Sequence, residues 1–481
     1  MNNEALLLAA VFVPTLGAFL LPALGRASLM TRNVVALAMV LVSLGCSIGL
    51  IGVASGSQGV TASLGAAGMS FSFHADGLAV FVAIVSSLVS AIILLYSIGY
   101  ISHYPNQNEY YLMVVLFLGA MMGLVYASNL ILLYVFWEIT AICSWRLIGF
   151  FRDKYIVLRA DKAFLITVFG ALAMLLGFIA VYAQTGSFDM ATIKAQLGEG
   201  TLTTFAVALI MLGILSKSAT LPFHTWLPDA GVAPSPVTAL LHAAILVKIG
   251  VYVYARLFVV TFPMTPQWQE AVMVIAAVSA LVSAGAALID TDLKRIIAYS
   301  TISQIAFIFL GFASGTQIGI AGALLYILMH GMAKGGLFLC AGIVEQTTHN
   351  KDITKMGGLI KTMPVTAVSF LFCSLSVMGV PPFGGFFSKY FVMSGALQAQ
   401  HVWISMVFLV GAFMTILYLF RVFNLVFLGQ SKLEAPPREK SPVMVFCVAL
   451  LAVMGLVAGL LINSPSSFAQ VAVEQMLGLA K

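Results

Sequence analysis

Four lysines, Lys217, Lys248, Lys334 and Lys389, fall well inside apolar runs, and Glu138 is the one acid that clearly does the same. A charge at the centre of a bilayer costs roughly 3 kcal/mol or more, so five in one chain call for a reason. Internal salt bridges, or lysines snorkelling to an interface, explain single cases. They do not explain the row, because one acid cannot neutralise four lysines. Proton relay does. An amine's pKa, ordinarily about 10.4, falls when the group is desolvated and recovers beside a carboxylate, so a movable partner loads and unloads a proton. Glu138, in Tyr134-Val135-Phe136-Trp137-Glu138-Ile139-Thr140, is the obvious partner of Lys217. Pairing holds the proton on Lys217, and loss of the pair releases it. Lys248 is the natural next acceptor. His242, six residues earlier and so off the same face, is either a relay or a satisfied core histidine. His330 and Lys334 lie four apart on one helical face and suit a relay across the middle. Lys389 would be the last station.

The elements that must carry these residues follow from composition. With 61% of 481 residues apolar, 8% charged and a mean hydropathy of +1.06, lipid must be the solvent for most of the chain. Runs long enough to cross a core of roughly 30 Å occur at 4–25, 32–54, 77–102, 108–127, 128–150, 161–183, 203–227, 233–257, 270–289, 294–314, 318–343, 363–394, 401–429 and 442–464. They are continuously apolar, unlike the alternating strands of a barrel, which predicts an all-α polytopic membrane protein of about fourteen transmembrane helices. Two runs carry helix breakers midway: Pro222 and Pro228 in one, and Gly379, Pro381, Pro382, Gly384 and Gly385 in the other. Pro222-Phe223-His224-Thr225-Trp226 faintly matches Pro382-Phe383-Gly384-Gly385-Phe386 at an offset of 160 residues, about five spans. An odd offset implies inverted halves, and paired broken helices in such halves mark ion paths in transporters. The whole chain, 1–481, reads as a single membrane domain: N-terminal helices over about 1–107, a first inverted repeat over 108–257, a second over 270–429, and a C-terminal helix and tail over 442–481.

Basic residues set the orientation. Arg26 and Arg32; Arg152, Lys154 and Arg159; Lys294 and Arg295; Lys351, Lys355 and Lys361; and Lys432, Arg438 and Lys440 fill the loops after spans one, five, nine, eleven and thirteen. The positive-inside rule makes those loops cytoplasmic and places both termini outside, in a multi-pass protein of the cell's inner (plasma) membrane. The stretch after Met1 has no basic lead and no cleavage site, so it reads as a retained helix. The net charge of +6 is scattered over short loops, which excludes a nucleic-acid partner. Cys46, Cys143, Cys340, Cys373 and Cys447 sit singly in apolar runs, and neither a cluster spacing nor a nicotinamide fingerprint occurs, so no cofactor, no metal and no disulfide are expected.

Other polar residues carry weaker signals. His224 beside Pro222 either lines the broken-helix cavity or caps freed carbonyls. Asp229 reads as a helix-end charge, and Arg152, Asp153, Lys154, Asp161 and Lys162 as solvated pairs at the cytoplasmic edge. Arg146 and Arg421 have no definite depth. The aromatics, 11% of the chain, read as packing and lipid-facing groups.

Trp137-Glu138-Ile139-Thr140, Ser216-Lys217-Ser218-Ala219-Thr220-Leu221-Pro222, Trp226-Leu227-Pro228-Asp229-Ala230, Leu241-His242-Ala243-Ala244, Tyr299-Ser300-Thr301-Ile302-Ser303-Gln304 and Gly379-Val380-Pro381-Pro382-Phe383 together resemble the antiporter-like subunits shared by respiratory complex I, group 4 membrane-bound hydrogenases and Mrp-type cation/proton antiporters. The resemblance runs over nearly the whole chain. It implies fourteen helices in two inverted five-helix repeats, each with a broken helix, around a hydrophilic axis that carries protons. It also implies that Glu138 couples to neighbouring subunits, that Lys217 and Lys248 are the broken-helix and central lysines, and that His330 with Lys334 links to Lys389. One complex I subunit type has glutamate at this last position, and the lysine here argues against that type. The chain stops soon after span fourteen, without the long lateral helix of the most distal complex I subunit. Glu138-Ile139-Thr140-Ala141-Ile142-Cys143-Ser144-Trp145 is similar to hydrogenase-4 and formate-hydrogenlyase subunits.

The expectation is therefore a non-redox, proton-translocating subunit of a redox-driven complex, with other membrane subunits, homologous ones among them, as partners. The transported ion is the proton, with Na+ as a further candidate. The alternative is a subunit of a gradient-driven Mrp-type Na+/H+ antiporter. A quinone-site component has no marker here, and a structural anchor would require the lysine row to be dispensable.

Overall fold

A computed structural model describes residues 2–54, 59–66, 69–198, 200–432, 438–439 and 441–479. Among them, twelve helices are each long and apolar enough to cross a membrane. Two further crossings are made of shorter pieces, so each of the fourteen apolar runs corresponds to one crossing. In chain order these are α1 (Asn3–Ala27), α2 (Leu29–Gly49), α3 (Gly77–His103), α4 (Gln107–Tyr126), α5 (Leu130–Ile148), α6 (Lys154–Thr185), α7 (Thr204–Lys217), α8 (Ser235–Thr261), α9 (Pro266–Ile289), α10 (Leu293–Ala313) and α11 (Gln317–Thr348), then α12 (Pro364–Met378), α13 (Gly384–Gln398), α14 (Val402–Phe427) and α15 (Pro442–Leu460). Polar side chains placed just before the apolar runs start several of them. Asp76, Asn129, Asp292 and Thr316 accept from the first free amides of α3, α5, α10 and α11.

Both expected breaks are present. α7 ends at Lys217, and the chain passes Ala219, in the left-handed region at φ +53°, before the short turns Phe223–Thr225 and Trp226–Asp229. α12 ends at Met378, with Gly379 as its cap at φ +82°, before α13 begins at Gly384. Pro222, Pro381 and Pro382 lie in the gaps, whereas Pro228 lies in the short helix beyond the first gap rather than in it. The order of helix packing recurs in the two halves: α4 on α5, α5 on α6 and α6 on α7, then α9 on α10, α10 on α11, and α11 on α12 and α13.

Four elements were not expected, the first being a short helix, Met190–Leu197, between α6 and α7. Residues before α3 form a hairpin of β1 (Val60–Ala66) and β2 (Met69–Ala75), antiparallel with Val60 opposite Ala75. Their alternation of small polar and apolar residues is a strand signal too short to register beside twenty-residue runs. The helix α16 (Asn463–Met476) follows α15 as an amphipathic tail that buries Ala469, Ala472, Val473 and Met476, and Gln475 accepts the Gly77 amide of α3. Within α8, residues 240–244 and 255–261 are π-helical, a local widening often met at functional sites.

The basic loops gather at one end. Arg152 bonds Glu109 at the start of α4, Arg295 bonds Asp229 and Asp290, Lys351 bonds Glu345, and Lys432 donates to the Thr354 carbonyl. Lys440 lies outside the described residues. Arg32, counted with the first basic loop, is fully buried in α2. Its guanidinium donates to Asn33, Gln107 and Asn108 and stands over the Tyr111 ring.

Candidate functional site

The first station sits where α5 meets the end of α7. Lys217, the last residue of α7, is fully buried, and its Nζ donates to the Trp137 carbonyl at 3.2 Å while standing 5.2 Å from the Trp137 ring. Glu138, one residue on, is half-buried, and its Oε1 has no hydrogen-bond partner. Lys217 and Tyr134 are the groups near enough to act on its charge. The lysine is therefore held by a backbone carbonyl and not by the expected ion pair, while the nearby carboxylate keeps Tyr134 as its side-chain neighbour.

The centre is a direct contact. Lys248 on α8 and His330 on α11, both buried, meet through Nζ and Nδ1 at 2.8 Å. His330 and Lys334 leave the same face of α11 but serve different neighbours. Lys334 Nζ reaches Ser300 Oγ at 2.5 Å and the Ile297 carbonyl at 3.3 Å on α10, and Ser300 bonds the Tyr418 hydroxyl of α14 at 2.6 Å. His242 does not touch Lys248. It stands in the π-helical turn with its ring 4.3 Å from that of Phe338, and both ring nitrogens are buried and without a partner.

The last station rests on the second break. Lys389 Nζ donates to the Val377 carbonyl at 2.7 Å, an acceptor freed where α12 stops, and lies 4.7 and 5.7 Å from the rings of Phe307 and Tyr326. Tyr326 lies between stations: its ring is 6.0 Å from His330, and its hydroxyl donates to Gln304 at 2.6 Å. His330 Nε2, Ser303 Oγ, Ser374 Oγ and Ser376 Oγ join Glu138 Oε1 and the His242 nitrogens as buried polar atoms without a protein partner. Orphans are rare in proteins, and polar interiors of this kind take water.

Of the remaining sequence candidates, several are held in ion pairs or hydrogen bonds. Asp229 is the hub of an ion-pair cluster with Arg159, Lys162 and Arg295 at the basic end. Asp161 accepts from the Trp145 indole, Arg146 pairs with Glu109, and Arg421 closes on the carbonyls of Leu288 and Asp290. His224 is half-buried, and its Nδ1 is unpartnered.

Sequence reasoning missed two buried pairs. Arg256 makes two hydrogen bonds to Asp76, at 2.6 and 2.7 Å, at the end opposite the basic loops. Lys294, 2% exposed, bonds Glu345 at 2.8 Å and was counted only as a loop charge. Both pairs sit where apolar runs end. A charge there reads as solvated, and only packing of neighbouring helices buries it.

Comparison with known proteins identifies the family and the fold. Residues 127–415, more than half of the chain, match the family model described as NADH:quinone oxidoreductase/Mrp antiporter, TM, and residues 62–111 match NADH-ubiquinone oxidoreductase (complex I), chain 5 N-terminus. Na(+)/H(+) antiporter subunit A1 of Staphylococcus haemolyticus is 35% identical, over 82% of this chain and 53% of that protein. The subunit A1 of Staphylococcus aureus is 34% identical, over 82% and 54%. The chain thus spans about half the length of these relatives. Among solved structures, the Mrp complex from Dietzia sp. DQ12-45-1b superposes with a TM-score of 0.91 at 23% identity, covering 99% of this chain and 98% of that one. The membrane-bound sulfane sulfur reductase, an archaeal respiratory membrane complex, superposes with 0.92 at 23% identity, covering 99% of both. The chain belongs to the NADH:quinone oxidoreductase/Mrp antiporter transmembrane family.

Proposed function

We propose that this chain is a proton-translocating, antiporter-like membrane subunit that moves protons along Glu138, Lys217, Lys248, His330, Lys334 and Lys389, with His242 beside the centre. The observation that carries the reading is the Lys248–His330 contact at 2.8 Å, which joins the half containing the first broken helix to the half containing the second. Lys217 and Lys389 terminate the row at the two breaks, each on a backbone carbonyl. In this role Glu138 switches Lys217: when its carboxylate closes on the amine the proton is held, and when it withdraws, as in the arrangement here, the proton is free to move. The basic end faces the cytoplasm, and 108–257 and 270–429 act as inverted repeats, each holding one break.

The driving force is the finer question. The 35% identity to an Na(+)/H(+) antiporter subunit favours exchange against a cation gradient over the redox drive expected from the sequence. Likeness to both an Mrp complex and a respiratory complex supports the shared fold without separating the two. In either case other membrane subunits complete the machine.

The test is proton movement by the assembled complex in sealed vesicles, comparing the native chain with Lys217→Ala and Glu138→Gln. Transport is expected to fall at least about ten-fold with the variant subunits still present in the complex, the loss of roughly 1.4 kcal/mol or more of barrier lowering. Native rates in both variants would make these charges structural.

A further inference from the structure

Resting on that proton-path reading, we propose that Glu345 is the carboxylate that loads the buried row from the basic end, delivering protons through Lys294 to His242. Three side chains descend from the surface in order. Lys351 is 38% exposed, Glu345 21% and Lys294 2%. Glu345 spans the other two: Oε1 lies 3.0 Å from Lys351 Nζ and Oε2 2.8 Å from Lys294 Nζ, with Ser235 Oγ donating to Oε2 at 3.2 Å. Lys294 is also held by the Ala233 carbonyl at 2.8 Å. Beyond Lys294 lies His242. Lys294 and Lys334 are the cations near enough to act on its ring, and neither ring nitrogen has a partner. A fully buried imidazole with no protein partner on either nitrogen, set between a surface-linked ion pair and Lys334, keeps one lone pair open to a proton in transit.

The groups facing Glu345 are Lys294 from α10, Lys351 from the connection after α11, Ser235 from α8, and Tyr96 and Tyr100 from α3. Those facing His242 are Lys294, Lys334, His330 and the Phe338 ring. The transfer balances. One aqueous proton forms an O–H bond on the Glu345 carboxylate. Lys294, released from its counter-ion, gives one ammonium proton by way of water to a His242 nitrogen, so that one N–H bond breaks and another forms. The Glu345 proton then moves to the Lys294 amine, which restores the ion pair. One proton has gone inward, and His242 alone has changed charge.

The experiment is proton uptake from the basic side by the assembled complex in sealed vesicles, read as rate against pH on that side. Glu345→Gln should slow uptake at least ten-fold in an assembled complex, and Glu345→Asp should retain slower uptake with an altered pH profile. Where Glu345→Gln alone strands Lys294 and prevents assembly, the double variant Glu345→Gln/Lys294→Gln removes both buried charges together, and its uptake should stay slow. Native rates in Glu345→Gln or in the double variant, or a native rate and pH profile in Glu345→Asp, would overturn the loading role. Lys217→Ala keeps the two ideas apart. If it loses transport while Glu345→Gln keeps it, only the loading role falls; if Lys217→Ala itself is native, the proton path falls.

Discussion

At 2.8 Å, Lys248 and His330 can share only one proton between Nζ and Nδ1, because one must donate and the other must offer its lone pair. Removing the imidazole leaves the amine buried without its partner, at a cost of about 1–3 kcal/mol. The His330→Ala variant should therefore assemble at somewhat reduced thermal stability and lose at least ten-fold in transport, measured as quenching of a pH-sensitive dye in sealed vesicles. Transport at the native rate would mean that the two halves communicate elsewhere. The same residue scale shows what the sequence could disclose. Lys217, Lys248, Lys334 and Lys389 announce themselves because apolar residues surround them in sequence, and all four are buried. Glu345 and Arg256 do not, because their burial comes from helices distant in the chain: Ser235 and Lys294 close over Glu345, and Asp76 over Arg256. The open Lys217–Glu138 pair is equally hidden, since a motif names a partner without fixing its distance.

The broken helices turn single substitutions into changes of path. Gly385 opens α13 against the end of α12 so closely that an added Cβ would strike the Ser376 carbonyl. Gly385→Ala should push the half-helices apart where Val377 holds Lys389, lowering both melting temperature and transport; a variant native in both would show that the break has slack. At the opposite end, Arg256 ties the end of α8 to Asp76, the cap of α3. Burial alone would raise the Asp76 carboxyl, but Arg256 and the Ala79 amide hold it down at about 2. Its ordinary value is about 4, so the folded-state value is the lower one. The clamp's contribution of about 2 kcal/mol is fully present above about pH 4 and is lost as pH falls towards 2. Thermal unfolding of the detergent-solubilised protein should show this acid dependence, and Asp76→Asn should be less stable at neutral pH and lack that part of it. An identical acid profile in the variant would place the sensitivity elsewhere. Elements of this size were largely legible, since each apolar run became a crossing. The hairpin and α16 were not, because their short, half-polar patterns gain stability only by packing on α1, α3 and α11.

Over the whole molecule the charge asymmetry makes a directional claim. Lys355, with its side chain 71% exposed, lies at the basic end, and Glu270 lies at the other, in the first turns of α9. All five cysteines are buried, which keeps background labelling low. A membrane-impermeant maleimide should label Lys355→Cys only from the cytoplasmic side and Glu270→Cys only from outside; the reverse pattern would invert every step of the path. The driving force is tested at the same scale, because it belongs to the complex and not to any residue. The charged groups of the buried row are amines and imidazoles, with Glu138 the one carboxylate among them, so on the proposed reading a hard cation such as Na+ finds few of the charged oxygen ligands it prefers along that line. If the machine exchanges ions, Na+ must cross by a different route and couple to the row through charge. Adding Na+ to vesicles holding a pH gradient should then dissipate it without any redox substrate, and Lys217→Ala should abolish the effect even though Lys217 would never meet the ion. Proton pumping that requires an electron donor and ignores Na+ would instead return the chain to the redox-driven branch.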